Sequence, residues 1–284
     1  MRAYGAVMHD LFLVNRMIDQ WLAEDIGHGD ITSQTMVDAD AHAAFNMNAR
    51  QHMNVAGIEV AAACFRRYDP DVKVEITAKD GDRVAPKTTL LKVQGKARSL
   101  LTVERTALNI AQHLSGIATE TARWMDEIKG TKAKLIDTRK TTPGLRALQK
   151  HAVICGGGAN HRLGLDSGVM IKDNHIAVCG SIAKAVERAR AGAPSLVKIE
   201  VECDRLEQVK EALAAKADVI MLDNMSLDDM REAVKLVAGR VPLEASGGVS
   251  FDRVRAIAET GVDYISTSKT IQGAPAVDIG LDDA

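Results

Sequence analysis

The sequence predicts an α/β protein in two parts: an N-terminal α+β region and a C-terminal barrel with fewer than the usual eight units. Beyond residue 131, short apolar segments alternate with amphipathic stretches six times. Before residue 100, apolar and charged residues alternate as they do in half-exposed antiparallel strands. Strands that alternate with helices indicate a parallel sheet, and six such units in succession favour a closed but incomplete barrel over an open sheet.

The N-terminal region begins with a helix at 11–22, predicted from apolar residues at helical spacing. Glycines and acids at 24–32 predict a loop, in which His28 is either a ligand or, more commonly, a surface histidine. A long helix should run from Ser99 to about Lys129, with a domain boundary near 100–115 where the composition changes. The other predicted elements are strands at 41–50, 72–77 and 89–93, the last ended by Gly95, and a helix at 56–67.

The six strands of the predicted barrel are short. Their helical partners frequently begin with a capping Ser or Asp. The predicted strands are 134–137, 169–172, 197–202, 219–223, 242–246 and 264–268.

The composition excludes several classes of protein. Net charge is −2, without the basic excess typical of nucleic-acid binding. No apolar run is long enough for a membrane span, and residues 1–10 lack a signal-peptide pattern. The four cysteines form no CxxC pair, which indicates reduced thiols and a cytoplasmic protein.

Polar residues follow each predicted barrel strand, and the carboxyl ends of barrel strands meet at one rim where ligands bind. Glu200 and Glu202 lie two apart on one strand, so both should face inward, opposite Ile199 and Val201. Carboxylates beside cations suit a phosphorylated substrate with Mg²⁺. The cations are Arg139, Lys140, His161, Arg162 and Lys172, and the carboxylates are Glu200, Glu202 and Asp223.

Two late turns predict a phosphate site. Ser246, Gly247 and Gly248 follow the fifth strand, and a serine–threonine–serine run at 266–268 follows the sixth. In barrels these loops bind phosphate through backbone N–H groups and hydroxyls. Arg139 and Lys140 stand in 137–144, whose Thr-Thr-Pro-Gly end is interpreted as scaffold. The residues thus predict an enzyme for a multiply anionic, phosphorylated substrate, without indicating the reaction.

The chain resembles the quinolinate phosphoribosyltransferase family over nearly its whole length. The motifs that carry the resemblance stand in the family's order and spacing. They are DTRKTTPG at 137–144, GGANHR at 157–162, IKDNH at 171–175, EVE at 200–202, MLDN at 221–224 and EASGG at 244–248, with further matches at 24–32, 104–109 and 114–119.

The resemblance implies an N-terminal α/β sandwich at 1–114, on which the C-terminal tail packs, and an incomplete, TIM-like α/β barrel at 115–284. It implies that quinolinate and phosphoribosyl pyrophosphate (PRPP) give nicotinate mononucleotide, pyrophosphate and CO₂, a step of de novo NAD synthesis. Mg²⁺ would accompany PRPP, and no organic cofactor would be needed. A homodimer or larger homo-oligomer would share its active sites between chains.

The resemblance also implies roles for individual residues. Arg139 would bind the quinolinate carboxylates, Lys140 would lie between quinolinate and PRPP, and Arg105 would reach in from a partner chain. Thr138, His161, Arg162 and Lys172 would complete the substrate site. Glu202 and Asp223 would face Mg²⁺–PRPP. The 5-phosphate would lie on Ser246, Gly247, Gly248, Ser266, Thr267 and Ser268. Many members of the family that the chain resembles carry a glycine after the sixth strand, where this chain has side chains at 266–270. This departure leaves the phosphate-binding atoms open.

Two alternatives to this function stand beside it. One is a related phosphoribosyltransferase-like protein of molybdenum utilisation. The other is a non-catalytic sensor of a phosphorylated metabolite. The intact motifs at 138–140 and 172–175 favour quinolinate phosphoribosylation over the first. A sensor would not need both the cations and the acidic Mg²⁺ wall.

Overall fold

A computed structural model describes residues 11–284. These residues form two compact units. The first contains residues up to Ala122 together with Ala147–Gly157 and Ala274–Ala284, and the second contains Arg123–Arg146 and Gly158–Gly273. The boundary predicted between residues 114 and 115 falls within one continuous helix, α4 (Ala97–Glu127), and stays a prediction.

The first unit is built on an antiparallel sheet. Its strands are β1 (His42–Ala49), β2 (Met53–Asn54), β3 (Lys73–Ile76), β4 (Arg83–Val84) and β5 (Thr89–Lys96). Its first three helices are α1 (Leu11–Ile26), α2 (Ile31–Met36) and α3 (Ile58–Tyr68). β1 pairs with β5 and β5 with β3, all antiparallel, while β2 and β4 form a separate pair.

Two N-terminal predictions are wrong in detail. The stretch at 24–32 is not one loop, because α1 continues to Ile26 and α2 begins at Ile31. Asp30 caps α2 by accepting a hydrogen bond from the Ser33 backbone N–H at 3.0 Å. Gly95 does not end its strand: it pairs with Ala43 inside β5. A Cβ there would lie 3.0 Å from Val72 Cγ2, so this glycine permits a close approach.

The second unit contains the six predicted parallel strands. They are β6 (Lys134–Ile136), β7 (Val169–Ile171), β8 (Ile199–Cys203), β9 (Val219–Asp223), β10 (Leu243–Ser246) and β11 (Tyr264–Ser266). The order in the sheet is β6-β11-β10-β9-β8-β7, so β6 and β7 are its edges. The two-part α/β fold predicted from the sequence is confirmed, with a C-terminal sheet of six strands rather than eight. β6 and β7 do not pair with each other in the described residues, so the barrel is incomplete and the predicted closure is wrong.

Helices follow the strands, as the alternating pattern predicts. They are α5 (Arg146–Cys155), α6 (Asp173–Cys179), α7 (Ile182–Gly192), α8 (Leu206–Ala214), α9 (Leu227–Val237), α10 (Phe251–Ala258) and α11 (Lys269–Gln272). α5 belongs to the first unit except for its first residue, Arg146. The last strand, β12 (Ile279–Asp283), pairs with β1 in the first unit. Among the described residues, no helix is both long and apolar enough to cross a membrane.

The core of the second unit lies on the helix-facing side of the strands. Alternate residues such as Ile199, Val201 and Ile220 are fully buried there among helix side chains. Glu200 and Glu202 therefore point the other way, into the barrel, as predicted. This alternation supplies polar side chains to the interior of an otherwise apolar unit.

Candidate active site

A cavity of about 510 Å³ opens at the carboxyl ends of the barrel strands. Each strand, or the loop directly after it, contributes at least one residue to the lining, which is the arrangement found in barrel enzymes. Predicted site residues that line it are Thr138, Arg139, Lys140, His161, Arg162, Lys172, Glu202, Asp223, Ser246, Gly247, Gly248 and Ser266; Met170, Met221, Asn224 and Glu244 complete it.

Four predicted residues, Glu200 among them, are not among those lining this cavity. Thr267 is buried, its backbone N–H donates to the Ile136 carbonyl at 3.1 Å, and its hydroxyl accepts from the Lys269 N–H at 3.1 Å. Ser268 caps α11. Arg105 is exposed on α4 of the first unit. The phosphate contacts of Thr267 and Ser268 and the shared-site role of Arg105 stay predictions.

The cavity holds excess positive charge. Among residues 11–284, no carboxylate forms an ion pair with Arg139 or Lys140. Burial and the neighbouring Arg139 lower the pKa of the Arg162 guanidinium. Two guanidinium groups that repel each other are both stabilised by an anion bound between them. The site therefore suits a ligand with more than one anionic group.

Arg146 fixes the loop that presents Arg139. Its Nε donates to Thr141 Oγ1 at 3.0 Å, and its other nitrogens donate to the carbonyls of Arg139 at 3.3 Å and Leu163 at 3.4 Å. Thr138 Oγ1 accepts from the Lys140 N–H at 3.0 Å, closing a tight turn at the strand end. Thr141 thus supports the loop, the role interpreted for the Thr-Thr-Pro-Gly segment.

Asp137 positions His161 rather than a substrate. This carboxylate is fully buried, and it accepts from Asn160 Nδ2 at 2.5 Å and from the His161 backbone N–H at 2.9 Å. Hydrogen bonds to a buried charge are strong because the alternative is an unsolvated carboxylate. Asp137 therefore holds the segment carrying His161 and Arg162 against β6.

Asp137→Asn should lower thermal stability. The amide places a donor where the carboxylate accepts, which should cost about 2 to 3 kcal/mol, or roughly 5–10 °C in melting temperature. Circular dichroism melting measures the change. Asp166→Asn, an exposed acid in the same region, is the matched control. An Asp137→Asn melting curve that overlays the control would contradict this role.

His161 lies between two buried glutamates of the barrel interior. Its Nε2 is 3.0 Å from Glu200 Oε2 and 3.5 Å from Glu244 Oε2. Burial opposes the imidazolium, but hydrogen bonds and charge attraction from Glu200 and Glu244 outweigh it and raise the pKa of His161 to about 9. The Arg162 backbone N–H donates to Nδ1 at 2.7 Å and favours the neutral ring. One backbone dipole is weaker than the combined pull of the two carboxyl groups, so the imidazolium prevails.

This cluster should make stability fall as pH rises. A histidine whose pKa rises from 6.5 to about 9 on folding stabilises fully below pH 6.5, and that contribution disappears by about pH 9. Burial also raises the pKa of Glu244, which acts in the same direction. The loss should be at most about 3 kcal/mol. Melting temperatures from pH 6.5 to 9 test this; His161→Gln should flatten the profile, and an equal decline in that variant would refute the assignment.

The carboxylates near the rim suit Mg²⁺. Glu202 accepts a hydrogen bond from Lys172 Nζ, and Asp223 Oδ2 accepts from Asn224 Nδ2 at 2.7 Å. They stand on the adjacent strands β8 and β9. Mg²⁺ typically takes one or two carboxylates and completes its shell with substrate oxygens and water. The donor set of the cavity fits that requirement.

The turn after β10 exposes backbone where a phosphate could lie. Gly247 and Gly248 both have positive φ, 76° and 57°. A Cβ on Gly247 would lie 2.4 Å from Asn224 Oδ1, so a side chain there would have to displace Asn224. Asn224 itself has φ 54°, and its N–H donates to the Ser246 carbonyl at 3.0 Å. Side chain-free N–H groups at a strand end favour anions.

Glu244 and Asn224 line the cavity but are not among the predicted site residues, and Glu200 is predicted only as one of the carboxylates, without a specific role. Glu244 stands between the apolar Leu243 and Ala245 on β10, so alternation alone could have indicated a carboxylate facing inward. Asn224 carried a weaker signal, an asparagine directly after a strand. Its positive φ depends on the neighbouring β10 turn and is not visible in the sequence.

Comparisons with known proteins agree over both parts of the chain. The model for the quinolinate phosphoribosyl transferase N-terminal domain matches residues 30–115, and the model for its C-terminal domain matches residues 117–282. The nicotinate-nucleotide pyrophosphorylase [carboxylating] of Mycobacterium leprae is 45% identical over 267 residues, covering 92% of this chain and 94% of that protein.

Solved structures give the same result. The nicotinate-nucleotide pyrophosphorylase from Francisella tularensis superposes with a TM-score of 0.92 at 41% identity, covering 95% of this chain and 96% of that one. The enzyme from Ehrlichia chaffeensis gives 0.88 at 44% identity, covering 94% and 97%. Fold and site together define an α/β-barrel enzyme of the pentosyltransferase class. Within that class, the chain belongs to the quinolinate phosphoribosyltransferase family.

Proposed function

We propose that the chain joins quinolinate to PRPP, with Mg²⁺, and releases nicotinate mononucleotide, pyrophosphate and CO₂. The observation that carries this proposal is the cavity at the carboxyl ends of the strands. It places Arg139, Arg162 and Lys172 beside the carboxylates of Glu202 and Asp223. A dicarboxylate and a magnesium-bound diphosphate need those two kinds of surface side by side.

The cations would bind quinolinate and orient it. Arg139 and Arg162 each offer a planar fork that matches a carboxylate, and Lys172 adds a point charge. With the carboxylates held, the pyridine nitrogen faces C1 of the ribose. Holding both reactants in one geometry removes much of the entropic cost of their meeting.

The other side of the cavity would bind PRPP. Glu202 and Asp223 would hold Mg²⁺, which neutralises charge on the departing pyrophosphate. The N–H groups of Gly247 and Gly248 and the hydroxyl of Ser246 would hold the 5-phosphate. The ring nitrogen's electron pair forms the N–C1 bond as the C1–O bond to pyrophosphate breaks, through a transition state with oxocarbenium character. Preorganised charges at both ends stabilise it.

Loss of CO₂ follows from the bond just made. The nitrogen now carries positive charge, so the electron pair of the adjacent C–CO₂ bond can remain on the ring carbon as the carboxylate leaves. A proton then replaces the carboxylate at that carbon. The reaction requires no covalent nucleophile, which fits a cavity whose histidine, His161, faces glutamates rather than a serine or a cysteine that it could activate.

The oligomer and the location belong to the same proposal. Arg105 is an exposed arginine on a long helix, suited to reach the cavity of a partner chain in a homodimer or larger assembly. Four unpaired cysteines among the described residues suit the reducing cytoplasm. Mixing two inactive variants, Arg105→Ala and Lys172→Ala, tests the shared site: activity recovered on mixing supports it, and no recovery despite subunit exchange counts against it.

The experiment that tests the reaction is a Mg²⁺-dependent assay. Protein, quinolinate and PRPP are mixed, and quinolinate loss, CO₂ and nicotinate mononucleotide are measured together. Loss of quinolinate in the same molar amount as the CO₂ and the nicotinate mononucleotide formed supports the proposal. Binding of both ligands without turnover would instead indicate a sensor. Turnover of another aromatic acid with none of quinolinate would indicate the molybdenum-related alternative.

A further inference from the structure

A cluster of metal-binding residue types lies in the first unit. Asp80 Oδ2 is 2.7 Å from His151 Nε2, and Cys155 Sγ is 3.2 Å from the same nitrogen. One ligand atom of each residue lies within 4.8 Å of the others. None of the three has a part in the phosphoribosyl chemistry proposed above.

The protein holds these side chains in place by independent means. His151 and Cys155 are four residues apart on α5 and therefore share one helix face. Asp80 stands in the turn between β3 and β4. Its Oδ1 accepts from the Ile58 N–H and its Oδ2 from the Gly57 N–H, both at 3.0 Å, at the start of α3. Such outer hydrogen bonds orient a carboxylate ligand before an ion binds.

A single proton on His151 Nε2 cannot serve its contacts with Asp80 and Cys155 equally. If His151 Nε2 carries a proton, it donates that proton to Asp80. Cys155 Sγ could then accept only a weak, bifurcated hydrogen bond from the same proton. If Nε2 is bare, the thiol can donate to it, but two acceptors then face each other at 2.7 Å. A cation removes this conflict, because all three atoms then offer lone pairs to one centre.

The dimensions suit a tetrahedral ion after a small adjustment. Zinc bond lengths imply about 3.4 Å between a nitrogen and an oxygen ligand and about 3.6 Å between a nitrogen and a sulfur ligand. The observed nitrogen–oxygen distance of 2.7 Å and nitrogen–sulfur distance of 3.2 Å are shorter. The ligand atoms must therefore move apart by roughly 0.4 to 0.7 Å to accept the ion. The Asp80 and His151 side chains are 13% and 10% exposed. An ion can therefore enter, and a water can take the fourth position.

We propose that Asp80, His151 and Cys155 form a site for a transition-metal dication, with Zn²⁺ the ion that thiolate, imidazole and carboxylate together favour. When the Sγ–metal bond forms, the thiol proton goes to solvent, while neutral His151 and the Asp80 carboxylate bind without losing one. The ion would connect α5 with the β3–β4 turn and α3. Its role is to stabilise the first unit.

Cobalt is the probe for this site, because a thiolate–Co²⁺ bond absorbs in the near ultraviolet. Metal-free protein titrated with Co²⁺ should develop that charge-transfer band to one equivalent, and added Zn²⁺ should abolish it. Zn²⁺ should also raise the melting temperature. Cys155→Ser should lose the band and most of the melting shift. Cys179→Ser, which alters a partly exposed cysteine of the second unit, should keep both.

Asp80→Asn provides a second variant, because it removes a charge and leaves the thiol. It should weaken Co²⁺ binding at least tenfold. No charge-transfer band in the parent protein would overturn the proposal, as would a band that survives in Cys155→Ser or disappears in Cys179→Ser. Quinolinate turnover is measured in parallel: these outcomes concern the first unit only, so they do not depend on whether the proposed reaction is correct.

Discussion

Arg139→Ala should lower kcat/KM for quinolinate by roughly 10² to 10³-fold, the equivalent of about 3 to 4 kcal/mol. Within residues 11–284, the Arg139 side chain pairs with no carboxylate, so a bound anion is the partner that it lacks. Its backbone carbonyl still accepts from Arg146 in the variant, so the loop should keep its shape. The loss should therefore appear in quinolinate binding rather than in stability.

Steady-state kinetics with each substrate varied in turn measures this effect. The KM for quinolinate should rise steeply while the KM for PRPP changes little. Arg139→Lys should recover only part of the loss, because an ammonium cannot bind a carboxylate in the bidentate manner of a guanidinium. Arg188→Ala, an exposed arginine on α7, is the matched control. A variant impaired for PRPP but normal for quinolinate would contradict the assignment.

Glu202→Gln and Asp223→Asn together should reduce kcat/KM for PRPP about 100-fold, or about 2.7 kcal/mol, and raise the Mg²⁺ concentration for half-maximal rate at least tenfold. The amides preserve size, and the amide oxygen introduced by Glu202→Gln can still accept a hydrogen bond from Lys172. What the two substitutions remove is negative charge, which a divalent cation needs more than it needs a particular shape.

Magnesium titrations at fixed PRPP distinguish this effect from a general loss of activity. Mn²⁺, which accepts similar oxygen ligands, should partly restore the rate at high concentration. Asp173→Asn is the control, because this exposed acid begins α6 and does not line the cavity. An unchanged Mg²⁺ requirement in the double variant would exclude Glu202 and Asp223 as the metal-facing carboxylates.

The sequence predicted the features that depend on local pattern. All six barrel strands appear within a few residues of their predicted positions, because an apolar strand followed by polar residues is a short-range signal. The inward direction of Glu200 and Glu202 followed from strand alternation in the same way. Twelve predicted site residues line the cavity because strand ends in a barrel converge by geometry.

Features that depend on long-range contacts did not follow from the pattern of the residues. β12 pairs Asp282 with Asn46, which no periodicity relates, and only the family resemblance implied that the C-terminal tail packs on the N-terminal domain. The fit of His161 between Glu200 and Glu244 joins three separate segments of the barrel. Arg146 is not among the predicted site residues, although it orders the loop bearing Arg139. Each of these depends on tertiary packing, which the local pattern does not encode.

The contact between Asn224 and Gly247 limits how this protein can vary. A Cβ at position 247 would displace the Asn224 side chain and would strain a backbone with φ 76°, and position 224 favours asparagine or glycine because of its φ of 54°. A side chain at position 247 is therefore accommodated only if the Asn224 side chain moves or is shortened. The two turns are epistatically coupled in that direction, so an evolutionary route to a larger residue at 247, in the proposed phosphate pocket, is eased by first shortening Asn224.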